Sequence, residues 1–135
     1  MNIEQALKPI APVIGFSSLI GAPNSVSSKQ YGKEGLEKAK QQLQDIIIAQ
    51  NDCQSDYAYW GYEGQKSYWR AVVNILEASQ LVGENNLPDV VPPDTSNSVV
   101  MDACSKIEKY GEKILELAKI QHSQKQYQKE HEADK

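Results

Sequence analysis

Apolar residues recur along this chain at steps of three and four. Leu36, Ala39, Leu43, Ile46, Ile47 and Gln50 share one face when wound as a helix, with Glu34, Glu37, Lys38, Lys40 and Asp45 largely on the others. The pattern predicts a helix over 28–51, with Ser27 or Ser28 supplying the cap and Gly32 and Gly35 weakening the first turn. A wider stripe follows. Trp69, Val72, Val73, Leu76 and Gln80 line up, with Tyr68, Ile75, Ser79 and Val82 beside them. This predicts a helix over 64–82, buried on more than one side and closed by Gly83. Gly61 and Gly64 read as a break, which places its start near Gly64 or Ser67.

The third pattern covers 96–121. Val100, Cys104, Ile107, Gly111, Ile114, Ala118 and Gln121 trace one edge of its apolar face, and Ala103, Tyr110 and Leu117 the other. The repeat is close to seven residues over about three heptads. It suits a helical hairpin within the chain or a homo-oligomeric coiled coil, and packing within the chain is the expectation. Any residue from Thr95 to Ser98 caps its start. Before it, residues 83–98 carry Pro88, Pro92 and Pro93 among Asn, Asp and Ser, which excludes a helix. A connection of that length in a compact domain points to a functional or partly disordered loop.

At the N-terminus, residues 2–8 allow one or two helical turns before Pro9 and Pro12. Residues 13–20 are apolar enough for burial, and 21–30 have loop composition. After Gln121 the apolar pattern stops, so residues 122–135 form a polar tail, either a helical extension into water or a disordered segment. The expected fold is all-α: a small bundle of three substantial helices plus a short N-terminal helical segment, with a long proline-rich loop before the last helix. Residues 1–121 are read as a single domain.

Composition sharpens this picture. The chain has 135 residues, enough to bury a core without a metal or disulfide. Its net charge of −4 argues against a general attraction to nucleic acid or anionic lipid. Residues 10–22 resemble a signal-peptide core, but Glu4 cancels Lys8 ahead of them and Pro12 interrupts them; an export signal is not expected. No run is long enough to span a membrane. Cys53 and Cys104 match no zinc spacing and read as reduced thiols, small hydrophobes of a cytoplasmic protein.

Candidate chemistry concentrates in residues 56–70. Tyr57, Tyr59, Trp60, Tyr62, Tyr68 and Trp69 are six of the chain's ten aromatic residues, interleaved with Lys66 and Arg70. Tyrosine and tryptophan pair a large flat face with a polar tip and dominate interface anchors. Trp69 and Tyr68 sit on the predicted buried stripe and are expected in the core. Tyr57, Tyr59, Trp60 and Tyr62 precede it, where alternate side chains can face solvent. The binding residues are therefore read as Tyr57, Tyr59, Trp60, Tyr62, Lys66, Tyr68 and Arg70.

No catalytic constellation stands out. His122 and His131 are nine residues apart in the tail, a poor spacing for one metal ion, and they read as exposed and idle. Asp52 and Asp56, and Asp89 and Asp94, lack the order of a calcium loop and serve as caps and turns. No metal and no cofactor is expected. The first functional reading is a non-enzymatic interaction module, adaptor or inhibitor in type, that binds a protein partner or itself through the aromatic segment and the loop after Gly83. The second is a small-ligand binder for a nucleotide or nucleotide-derived signal, with Tyr59, Trp60, Tyr62 or Tyr68 stacking the base and Lys66 and Arg70 on phosphates. An enzyme ranks last.

Overall fold

The computed structural model describes residues 1–10 and 33–133. The expected burial of 13–20, the loop at 21–30, the helix start at 28–32 and nearly all of the signal-like stretch lie outside those residues. The described elements are all helical: α1 (Ile3–Leu7), α2 (Lys33–Asp52), α3 (Asp56–Val82) and α4 (Val100–Ala133). Together they form a small bundle of three substantial helices and a short N-terminal one. Among the described residues, no helix is long and apolar enough to cross a membrane.

α1 is held by a capping box. The Asn2 side chain accepts from the Gln5 amide at 2.8 Å, and the Gln5 side chain accepts from the Asn2 amide at 2.8 Å. Five residues make a poor helix alone, so packing holds it. Ile3, Ala6, Leu7 and Ile10 are buried, and the Tyr110 hydroxyl donates to the Ala6 carbonyl at 2.9 Å.

α2 buries Leu36, Ala39, Ile46 and Gln50 as its periodicity predicts. It runs antiparallel to α3: Gln50 meets Tyr59 and Glu63, while Lys40 meets Glu77 at 3.8 Å. α3 starts earlier than the glycines suggested. The Ser55 hydroxyl accepts from the Ala58 amide at 3.1 Å and caps a helix that passes straight through Gly61 and Gly64. Each interior glycine costs about 1 kcal/mol against alanine. Burial of most of α3 below them offsets that, so tertiary packing overrides the local break.

The helix α4 does not form a hairpin with α3; the two run parallel. Ser67 contacts Glu108, Ala71 faces Gly111, and His122 reaches Leu81. Both sequences advance in the same direction, each α4 residue lying beside the α3 residue about forty positions before it. The heptad-like face is packed within the chain, with Ala103, Cys104, Ile107, Tyr110, Ile114 and Ala118 all buried.

Parallel pairing also explains the long connection. From the end of α3 the chain must return about 35 Å, some 23 helical residues at 1.5 Å each, before α4 can begin. An extended segment needs at least about ten residues for that span, so no tight turn suffices. The length first read as a sign of function is a requirement of topology. The returning segment is tied down at both ends. The Leu87 amide donates to the Met1 carbonyl at 3.1 Å, and Lys106 donates to the Asp94 carbonyl at 3.0 Å and to the Ser98 hydroxyl at 2.9 Å. α4 starts at Val100, a little after the expected 96. It continues far beyond 121: residues 123–132 are all exposed, and the helix outruns α3 into solvent.

A candidate docking surface at the start of α3

The burial of α3 changes along its length. From Ser67 to Val82 most of its side chains are buried, because α2, α4 and α1 surround it. At its start the cover runs out: α2 ends at Asp52, and α4 begins only level with about residue 59 of α3.

Tyr57 and Trp60 lie on the stripe that continues, in steps of three and four, through Gly64, Ser67 or Tyr68, Ala71 and Ile75. The lower members of that stripe are core: Ala71 faces α4 and Ile75 is fully buried. Its upper members are 63% (Tyr57) and 37% (Trp60) exposed, and Tyr59 beside them is 43% exposed. The Tyr59 and Trp60 rings meet edge to face, with centroids 5.4 Å apart. Val99 and Met101, at the start of α4, are exposed apolar residues near the same level. The core-facing side of α3 thus ends in aromatic side chains that the described elements cover only in part, Tyr57 least of all.

The other sequence-nominated residues separate from this group. Tyr68 is buried, as expected, and packs edge to face on buried Trp69 with centroids 5.3 Å apart. Tyr62 is half-buried against the core. Lys66 and Arg70 lie on a different, polar stripe of α3 that runs between α2 and α4. Lys66 Nζ is 2.8 Å from Glu63 Oε2 and 2.8 Å from Gln50 Oε1. Gln50 Nε2 donates in turn to Glu63 at 2.5 Å. Burial alone would raise the Glu63 pKa; the hydrogen bonds from Lys66 and Gln50 and the charges of Lys66 and Arg70 outweigh it and hold the carboxyl below its usual range. Arg70 Nη1 lies 3.5 Å from Glu108, which also accepts from the Ser67 hydroxyl at 2.8 Å. Beside Arg70 a hollow of about 220 Å³ is lined by Leu43, Val73, Asn74, Glu108 and Glu112. Its carboxylates make it a poor seat for phosphate.

The remaining candidates are committed elsewhere. Burial pushes the Cys104 thiol up, more than its hydrogen bond with Ser67 pulls it down, which makes it a poor nucleophile. Cys53 is half-buried and free. His122 departs from the idle role expected of it. Its Nδ1 lies 3.2 Å from the Leu81 carbonyl and its Nε2 3.2 Å from Gln126 Nε2. Nδ1–H donating to Leu81 and Nε2 accepting from Gln126 satisfies both contacts, and the ring clips α4 to the end of α3. The sequence signal missed here was position: residue 122 continues the α3-facing edge by one more step after Ala118. His131 stacks on Tyr127 at 4.0 Å, still on the exposed helix. Among the described residues, no three His, Cys, Asp or Glu groups gather as a metal site.

No protein-family model, curated protein or solved structure matches this chain.

Proposed function

We propose that this protein is a non-enzymatic docking module, of adaptor or inhibitor type, that holds a protein partner on the exposed aromatic end of α3. The observation that carries the reading is the continuation of a core-facing helix stripe through Tyr57 and Trp60, with Tyr59 beside it, to a point where their rings are partly exposed. A partner that covers this stripe completes the packing α4 begins lower down. Rigid aromatic rings on a well-anchored helix lose little rotamer freedom on binding, which favours them as anchors.

The nucleotide reading has less support. It needs cations free to meet phosphate near a stacking ring, and Lys66 and Arg70 both already face carboxylates. Lys66 also lies about 9 Å farther along the helix axis than Trp60. Self-association, if present, would use the same aromatic end, since the heptad-like face of α4 is occupied by α3.

The test is site-specific photo-crosslinking in the native cell. A photoreactive phenylalanine at position 57 or 59 should give discrete adducts, and the same group at exposed position 112 should not. Equal labelling from all three positions, or none from 57 and 59, would remove the reading. A thermal-shift screen with nucleotides provides the competing outcome: a shift abolished by Arg70→Ala and Trp60→Ala would favour the ligand reading.

A further inference from the structure

The surroundings of the aromatic end constrain what docks there. Between Lys40 and Lys66 the chain has no lysine, arginine or histidine, but it has Asp45, Asp52, Asp56 and Glu63. Between Arg70 and Lys106 it again has none, but it has Glu77, Glu84, Asp89, Asp94 and Asp102. Of these acids, Asp52 closes α2, Asp56 opens α3 and Asp102 lies in the first turn of α4, which places these three at the bundle end where α2 stops and α3 and α4 start. Glu77, paired with Lys40, and Asp89, paired with the N-terminus, lie away from it. The first cations on α3 and α4 there are already engaged, Lys66 with Glu63 and Lys106 with Asp102 at 3.0 Å. Asp52, at the end of α2, and Asp56, at the start of α3, both just precede the tyrosines in sequence, are exposed, and have no partner among the described residues.

We infer that the partner presents a basic segment, with arginine or lysine side chains that stack on Tyr57, Tyr59 and Trp60 while their charges face Asp52 and Asp56. Guanidinium groups suit both halves of this surface, since they stack flat on aromatic faces and pair with carboxylates. An acidic or phosphorylated partner would meet like charge here. This inference rests on the docking reading above and specifies the chemistry of its partner.

The experiment titrates the full chain with three nine-residue peptides: nona-arginine, nona-glutamate and an alternating Gly-Ser peptide. Calorimetry reads the affinity at low and at physiological salt. Nona-arginine should bind at least about tenfold more tightly than the Gly-Ser peptide, and nona-glutamate more weakly than either. Asp52→Asn with Asp56→Asn should weaken nona-arginine about tenfold, whereas Glu130→Gln with Glu132→Gln, which removes the same charge from the far tail, should change it less than about twofold. Tyr57→Ala with Trp60→Ala should also weaken it about tenfold. Circular dichroism checks that each variant is folded, and Tyr59→Ser gives a milder second probe of the same surface.

The inference falls if nona-arginine binds no better than the Gly-Ser peptide, or if the tail pair matters as much as the Asp52–Asp56 pair. In either case, discrete crosslinks from positions 57 and 59 would leave the docking reading standing without a basic partner. If the acidic pair matters and the aromatic pair does not, the aromatic docking reading itself fails.

Discussion

Gly111 offers the sharpest test of how α3 and α4 meet. A Cβ added there would lie 2.8 Å from the Ala71 Cα, 3.0 Å from its Cβ and 3.3 Å from its carbonyl oxygen. Ordinary contacts of this kind lie at 3.4–4 Å, and the obstacle is backbone, which cannot rotate away. Gly111→Ala therefore has two opposed effects. Helix propensity favours alanine by about 1 kcal/mol. Overpacking forces the helices apart by a large fraction of an ångström along a buried seam that includes Ile107, Tyr110 and Ile114, and costs about 1–3 kcal/mol. We expect a net loss of about 1 kcal/mol, read as a fall in Tm of about 3–6 °C.

The sign decides the matter. Propensity alone predicts that Gly111→Ala is stabilising, so a raised Tm or a raised urea midpoint would refute the close approach. A double-mutant cycle adds a stricter condition. Ala71→Gly removes the atom at 3.0 Å, so it should be less harmful in the Gly111→Ala background than alone, with a coupling of about 0.5–1 kcal/mol. Strict additivity would mean that the Ala71 Cβ takes no part in the clash, leaving the Ala71 backbone as its whole cause.

Three further outcomes follow from the buried polar contacts and the exposed ends. Tyr110→Phe leaves the Ala6 carbonyl without its donor and should cost about 1–2 kcal/mol, with faster amide exchange in α1. Burial also pushes the Tyr110 pKa up to about 12; because the folded value is raised, its stabilisation is intact below about pH 10 and declines between pH 10 and 12, so the Phe variant should show a flatter Tm–pH curve there. The lowered Glu63 pKa has the opposite sense: its contribution is present above its ordinary 4.5 and is lost on acidification below it, a slope that Glu63→Gln should remove; Lys66→Met alone should destabilise more than the Glu63→Gln/Lys66→Met pair. Truncation after Gln126 removes Tyr127 to Glu132, all exposed, with the three residues after them, and should leave the urea midpoint unchanged while lowering the helical dichroism; a large fall in midpoint would show that the tail packs on the bundle.

What the sequence made legible was whatever depends on local period. The α2 face, the wide α3 stripe, the burial of Trp69 and Tyr68 and the two edges of α4 all follow from steps of three and four. The start of α3 was misread because Gly61 and Gly64 look like breakers, although Ser55 three residues before Ala58 offered a cap. The direction of α4 is a long-range property. No local pattern distinguishes a functional loop from one that must return the chain along a parallel neighbour. The same limit applies to Lys66 and Arg70. Their carboxylates lie in the preceding turn for Lys66 and 38 residues away for Arg70, so in sequence both looked free to meet a ligand.

The exposed aromatic end stands apart because folding gives it so little to do. Tyrosine and tryptophan have lower helix propensity than alanine, lysine or glutamate, so at exposed positions 57, 59 and 60 they weaken the helix slightly. Among the described residues they also leave part of their apolar surface exposed where the cover of the α3 stripe thins. Polar helix formers there would make a more stable, more soluble start to α3. Trp69 shows the contrast: it is equally large, yet buried, and its indole nitrogen goes without an acceptor among the described residues in exchange for its packing. A sequence that departs from local optimality with only a partial packing gain marks a position where something other than stability can be served. Three such residues occur within four positions, next to Asp52 and Asp56, which have no partner among the described residues, and the proposal of a basic partner rests on that coincidence.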